Sequence, residues 1–307
     1  MFNEFDKYEI IRSDLLQKKA KLWAIENLEY LNKPMTLLGT STKIIKDNKV
    51  ADIKVMYLDA DDDTAKETLC LFAKTSGCGE ACLKHSGRLG MSSAKNAMVK
   101  RTILYLLRRE WFEQKLLQEI DSHVAKVERN KKLKGFYSDL PSRLGIYKNL
   151  AVYSTAQTAM IRLNGTSDLD FSNIIEARPD VQFYDYTKHV SRIRKNKLSN
   201  YDLTYSASMF SIQSRNALRK AVKMRTRIAV AINTKDSKAD KLQRGVHFKG
   251  IKSFDDNDIR PYDGQVVGTL SRKGSSIVDR EADNELDWSF FVTMTNLKEF
   301  NNIIKGS

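Results

Sequence analysis

The chain has 307 residues, 52 Lys and Arg against 38 Asp and Glu, a formal net charge of +14 and a pI near 9.5. An apolar fraction of 41% with 13 Phe, 12 Tyr and 3 Trp is enough to bury a core and excludes a disordered basic tail. No apolar run reaches the length of a membrane span, and residues 1–21 carry Glu4, Asp6, Lys7, Glu9, Arg12 and Asp14, so neither a span nor a secretory signal is expected.

In chain order, residues 7–32 place Ile10, Ile11, Leu15, Leu16, Leu22, Trp23, Ile25, Leu28 and Leu31 mostly on one helical side before Pro34 ends the pattern. Residues 1–34 therefore read as a helical extension to a domain over 35–307. Extended stretches follow at 35–46 and 52–59, the second alternating Ile53, Val55 and Tyr57 with polar partners, which predicts a small β-hairpin. Ser92 or Ser93 is expected to cap a long basic helix running to about Arg129. From residue 150 short apolar runs at 159–163, 181–184, 203–205, 228–232 and 265–270 each end on polar residues, with helices expected at 172–177 and 211–224. Strand, polar tip and helix in repetition predict a parallel α/β sheet or partial α/β barrel, with its site at the C-terminal strand ends.

The three cysteines, Cys70, Cys78 and Cys82, all lie within thirteen residues. An odd, clustered set argues against a secreted disulfide scaffold and for a reducing cytoplasm. The Cys-x7-Cys-x3-Cys spacing, with Gly77 and Gly79 allowing tight turns, suits converging thiolates, which select zinc, copper(I) or iron–sulfur clusters. Two ligand sets stay open. One is a Cys3His zinc site completed by His85; the other is a four-iron cluster whose open iron takes S-adenosylmethionine, as in radical enzymes, although their usual spacing is Cys-x3-Cys-x2-Cys. Three inert buried cysteines are the plain alternative.

These segments carry a resemblance. Cys70 through Met91 with Arg101-Thr102, then Arg162-Leu163-Asn164-Gly165-Thr166-Ser167-Asp168, Pro179 through Lys188 with its Tyr184-Asp185-Tyr186-Thr187-Lys188, and Asn200 through Ser206 resemble, in that order, a widespread family of bacteriophage proteins. The likeness runs discontinuously from about residue 65 to residue 274. It implies a phage gene product in the host bacterial cytoplasm, with an α/β barrel like those of radical S-adenosylmethionine enzymes and a cysteine cluster near its start; it implies no particular activity. Leu71 stands where the family usually has proline, Asp202 where it usually has histidine, and the N-terminal helix is an addition.

Asn164, Ser167 and Asp168 on one strand tip and Asp185, Tyr186 and Lys188 on the next would be neighbours, making Asn164, Ser167, Asp168, Asp185 and Lys188 the candidate catalytic residues. Asn-Gly and Ser-Asp equally suit turns and helix caps. Lys188 and Lys273 are candidate phosphate or carboxylate binders. Asp255, Asp256, Asn257, Asp258 and Asp263 lack calcium-loop spacing and read as a solvated acidic loop rather than a hard-cation site.

The positive charge is local. Residues 188–227 hold eleven Lys and Arg against one acid, Asp202, interleaved with Tyr201, Tyr205 and Phe210. This footprint suits nucleic acid, with Arg192, Arg194, Lys195, Lys197, Arg215, Arg219 and Lys220 as candidate contacts; a surface serving solubility or an acidic protein is the alternative. Phosphate-loop, dinucleotide, zincin and nucleophile-elbow motifs are absent from the sequence. The expectation is a phage protein that holds a metal or iron–sulfur cluster and acts on or binds nucleic acid or nucleotides by radical-type chemistry. A non-enzymatic nucleic-acid binder with zinc or no metal, or an effector that binds an acidic host protein, are the other readings.

Overall fold

The computed structural model describes residues 3–40, 50–60, 63–79, 82–85, 87–138, 158–232, 251–255, 258–271, 290–293 and 296–306. The tips expected at 233–235 and 272–274 lie outside them, as do Asp256 and Asn257. Among the described residues eight strands form one mixed sheet: β1 (Leu38–Gly39), β2 (Ala51–Met56), β3 (Thr158–Arg162), β4 (Gln182–Thr187), β5 (Tyr201–Ser206), β6 (Ile228–Ile232), β7 (Ile251–Ser253) and β8 (Val267–Ser271), in the order β1-β2-β3-β4-β5-β6-β8-β7. β1 runs antiparallel to β2, and the remaining pairings are parallel, with Ile53 opposite Met160, Tyr184 opposite Asp202 and Val230 opposite Thr269.

Nine α-helices are described: α1 (Lys7–Arg12), α2 (Lys18–Glu26), α3 (Leu28–Asn32), α4 (Ser92–Leu107), α5 (Arg109–Ser138), α6 (Ser172–Glu176), α7 (Val190–Lys195), α8 (Ile212–Lys223) and α9 (Leu297–Lys305). None is long and apolar enough to cross a membrane. The two-residue period of the strands divides the sheet into two faces. Met56, Ile161, Leu163, Phe183 and Leu203 pack against Ile10, Leu31, Ile103, Phe112 and Ile174 of the helices, and Tyr205, Val230 and Ile232 against Leu218, Phe300 and Ile303. The opposite face, Ala51, Ile53, Val55, Met160 and Tyr184, is covered by Ile259.

Three sequence expectations change. The single helix over 7–32 is three helices, because Asn27 leaves helical geometry between α2 and α3 and turns its amide back onto the Trp23 carbonyl at 2.8 Å. The long basic helix breaks at Arg108, whose guanidinium is drawn to Glu9 and to the Asn3 and Leu107 carbonyls, and its N-cap is Met91 with no side-chain bond. The acidic stretch is not solvated where it is described. Asp258 and Asp263 are buried, the first on Arg162 at 2.9 Å and the second on Arg260 at 2.8 Å, with Arg260 stacked 3.8 Å over the Phe254 ring. Carboxylates neutralised by buried guanidiniums are not a hard-cation site.

Candidate phosphate cleft and cysteine segment

The Arg162–Asp168 motif turns the chain at the end of β3. Gly165 makes this turn possible: its N–H bonds the Met56 carbonyl at 2.9 Å, and a Cβ there would stand 2.6 Å from that same oxygen and 2.7 Å from Val55. Gly165→Ala is therefore expected to cost about 1–3 kcal/mol of stability, read as a lowered urea midpoint with an unchanged m-value.

Asn164 sends its backbone N–H to Asp185 Oδ1 at 2.8 Å and its Nδ2 to Asp185 Oδ2 at 3.2 Å, while its Oδ1 accepts Ser167 Oγ at 2.8 Å. Asp168 accepts Thr187 Oγ1 (2.9 Å) and the Lys188 N–H (3.0 Å) on one oxygen and Arg192 Nη1 (2.8 Å) on the other. Arg192 also donates to Tyr201 Oη at 2.7 Å, and that hydroxyl donates to Asp185 Oδ2 at 3.0 Å, closing a ring of hydrogen bonds that ties the ends of β3 and β4 to the first residue of β5. Burial pushes the Asp185 carboxyl up to about 6, against the pull of Arg162 and of the Asn164 N–H. The structure thus brings the candidate catalytic residues Asn164, Ser167, Asp168 and Asp185 together, but every carboxylate oxygen already accepts a bond from inside the ring. Their arrangement positions the tips. Lys188 departs from this pattern: its ammonium rests on Ser206, 3.0 Å from the hydroxyl, and lies 4.5 Å from the Phe290 ring centroid.

The cysteine segment docks on the same tips. The Asp168 N–H bonds the Leu69 carbonyl at 3.1 Å, and Ser208, Ser211 and Ser214 donate to the carbonyls of Ser76 and Thr75 at 2.7–3.0 Å. Gly77 takes a left-handed φ of +63°, and a Cβ there would strike the Phe210 ring. Cys70 and Cys78 are near enough for their ionisation to be linked: the Cys70 thiol, aided by the Lys188 ammonium, draws Cys78 below the ordinary thiol pKa, while Cys78 and burial drive Cys70 up. Cys82 is half-buried, and its carbonyl accepts the His85 N–H at 3.0 Å. His85 lines a separate cavity beside Lys84, which is buried on Asp59 and Asp63 at 3.2 Å each. Among the described residues no three His, Cys, Asp or Glu side chains converge as a ligand set.

Next to this segment a cleft of about 730 Å³ opens between α7 and α8. Lys188 and Arg194 line one side and Lys220 and Lys223 the other, with Phe72 and His189 in contact, ring centroids 5.1 Å apart. Among the described residues no carboxylate lines it. α8 builds its wall from one stripe, Gln213, Asn216, Ala217, Lys220 and Met224, at helical spacing.

The basic candidates divide accordingly. Arg194 and Lys220 line the cleft, and Lys195, Lys197 and Arg219 are exposed outside it. Arg192 belongs to the hydrogen-bonded ring, and Arg215 is buried on Glu299 at 3.2 Å, with Arg219 3.4 Å from the same carboxylate.

The model of the Gene product 88 family matches residues 31–286. The chain belongs to this family of phage gene products. No curated protein and no solved structure matches it. The family match takes in all eight strands, the cysteine segment and the cleft, and leaves out α1, α2 and α9. Within this Gene product 88 fold the sequence reading missed Phe72, His189 and Lys223 as cleft residues. The 213, 216, 217, 220, 224 stripe was the available signal, since a helix face this polar beside a short basic helix faces solvent rather than core.

Proposed function

We propose that this Gene product 88 family member is a nucleic-acid-binding protein of the host cytoplasm that holds phosphates in the cleft between α7 and α8. The observation that carries this reading is the lining: among the described residues, four cations and no carboxylate in one concave site. Such a site gains affinity by releasing counterions from the nucleic acid, so binding must weaken steeply with salt. We read strands β2 to β6, adjacent in chain order with helices on one face, as the wall of a partial α/β barrel whose C-terminal strand ends carry the cleft.

The test is anisotropy of a labelled oligonucleotide over a salt series. Lys220→Glu/Lys223→Glu is expected to weaken binding about 10–100-fold and to lower the slope of log affinity against log salt by about 2. Equal affinity and slope in wild type and variant would overturn the reading, as would binding confined to an acidic host protein.

The linked ionisation of Cys70 and Cys78, with Cys82 on the same short segment, favours a second reading, a thiolate metal site that Cys82 completes, either iron–sulfur with S-adenosylmethionine or zinc. Metal and sulfide analysis of anaerobically prepared protein decides it. Iron with sulfide supports the cluster and stoichiometric zinc the alternative, each lost in Cys70→Ala and Cys78→Ala; metal-free protein overturns both.

A further inference from the structure

Within the cleft, we infer that the occupant is an unpaired nucleotide of a single strand, its base against the Phe72–His189 pair and its flanking phosphates on Lys188, Arg194 and Lys220. The inference rests on the phosphate reading of the same cleft and adds the state of the strand.

Three observations carry it. The first is size. About 730 Å³ falls within the range of small-ligand clefts, which admits a flipped-out nucleotide but not a paired helix. The second is the apolar wall. Phe72 and His189 sit among the cations, joined by Val190, Ala217 and Met224. A site that grips only a phosphate backbone has no use for such a wall. In a duplex the base faces are hidden by stacking, whereas an unpaired base presents a π-face to an aromatic ring and needs no particular sequence to do so. His189 is held for this role: its Nε2 is 2.8 Å from Ser191 Oγ, its backbone N–H bonds Thr187 Oγ1 at 3.0 Å, and its ring leans on Phe72 at 44°. The third is the position of the charges. Lys188 is buried at the inner side, where Ser206 fixes its ammonium, while Arg194, Lys220 and Lys223 are exposed. A chain entering past the exposed cations and turning at Lys188 meets charge before and after the aromatic wall. Gln213 and Asn216, exposed on the α8 stripe, offer amide donors and acceptors to a base edge.

The experiment compares one labelled oligonucleotide as a single strand and as a duplex, at fixed salt, on the full chain and on Phe72→Leu and Phe72→Trp. Phe72→Leu keeps the apolar bulk and removes the π-face; far-UV circular dichroism checks that it folds. The single strand is expected to bind about tenfold tighter than the duplex. Phe72→Leu should lose about tenfold for the single strand with the salt slope unchanged, because every cation remains. Phe72→Trp should restore affinity, and its added indole fluorescence should be quenched on binding. Duplex binding as tight as single-strand binding, still sensitive to Lys220→Glu/Lys223→Glu, would overturn this inference and leave the phosphate reading intact. So would a Phe72→Leu variant with unchanged affinity, or an unquenched tryptophan at 72. Absence of salt-dependent binding to any nucleic acid would overturn both.

Discussion

Asp185→Ala is expected to lower the free energy of unfolding by about 3–5 kcal/mol, because it strands three buried donors, the Asn164 N–H, the Asn164 amide and the Tyr201 hydroxyl, and opens a hole beneath the strand tips. Asp185→Asn keeps the shape but turns an N–H₂ toward groups that donate, and should cost about 1–3 kcal/mol. Urea melts at pH 7 measure both. The pH dependence gives a separate signature. The folded carboxyl titrates at about 6, above its ordinary 3.8, so between these values the folded chain holds a proton that the unfolded chain has released. By linkage, the contribution of this group to stability is greatest at the acid end of that window and falls as pH rises through 6, by about 3 kcal/mol over the whole window. The gap between wild type and Asp185→Ala should therefore be wider at pH 4.5 than at pH 7. A gap that narrows on acidification would mean that the ring holds Asp185 ionised.

Arg162→Met should cost about 3–5 kcal/mol as well, by a different route. Arg162 ends β3 on the sheet face that Ile259 covers, where its guanidinium pairs with buried Asp258 and lies 4.9 Å from the Tyr186 ring centroid. Removing it takes the Arg162 charge away from the Asp258 carboxylate in a low-dielectric setting, which costs more than the intact pair contributes. The double variant Arg162→Met/Asp258→Leu should recover most of the loss, and the double-mutant cycle measured by urea denaturation should give a coupling of at least about 1 kcal/mol. Additive losses would mean that the pair is not coupled.

The contrast between these two sites explains what the sequence made legible. The strands were visible because each is an apolar run bounded by polar residues, and the runs at 159–163, 203–205 and 228–232 lie within a residue or two of β3, β5 and β6. β4 extends further than its apolar run. Asp185 and Thr187 face the hydrogen-bonded ring while Tyr184 and Tyr186 face Arg162, so a strand with polar partners on both sides reads as a tip. The gathering of Asn164, Ser167, Asp168 and Asp185 followed from strand adjacency alone. Their engagement in one internal network did not, since it depends on Arg192 and Tyr201, which look like a surface cation and a stacking ring until the partners are known. The same limit applies to Asp258, whose neutralising arginine lies 96 residues away in the chain. α7 has six residues, too few to show a period, yet its Val190, Ser191 and Arg194 line the cleft.

The order of the sheet also governs how it is assembled. β3, β4 and β5 succeed one another at short range, with Met160 opposite Gln182 and Phe183 opposite Tyr201, whereas Ala51 of β2 must wait for Thr158, 107 residues later. Closing the longer loop costs about 1.5 kcal/mol more entropy than the shorter ones, so β3 to β5 are the natural nucleus and β2 joins it. During translation at about 5–20 residues per second, the nascent chain carries Ile53, Val55 and Met56 without their parallel partner for about 5–20 s. A ribosome-bound chaperone that shields a short apolar strand for that interval is the factor on which the yield of this protein should most depend.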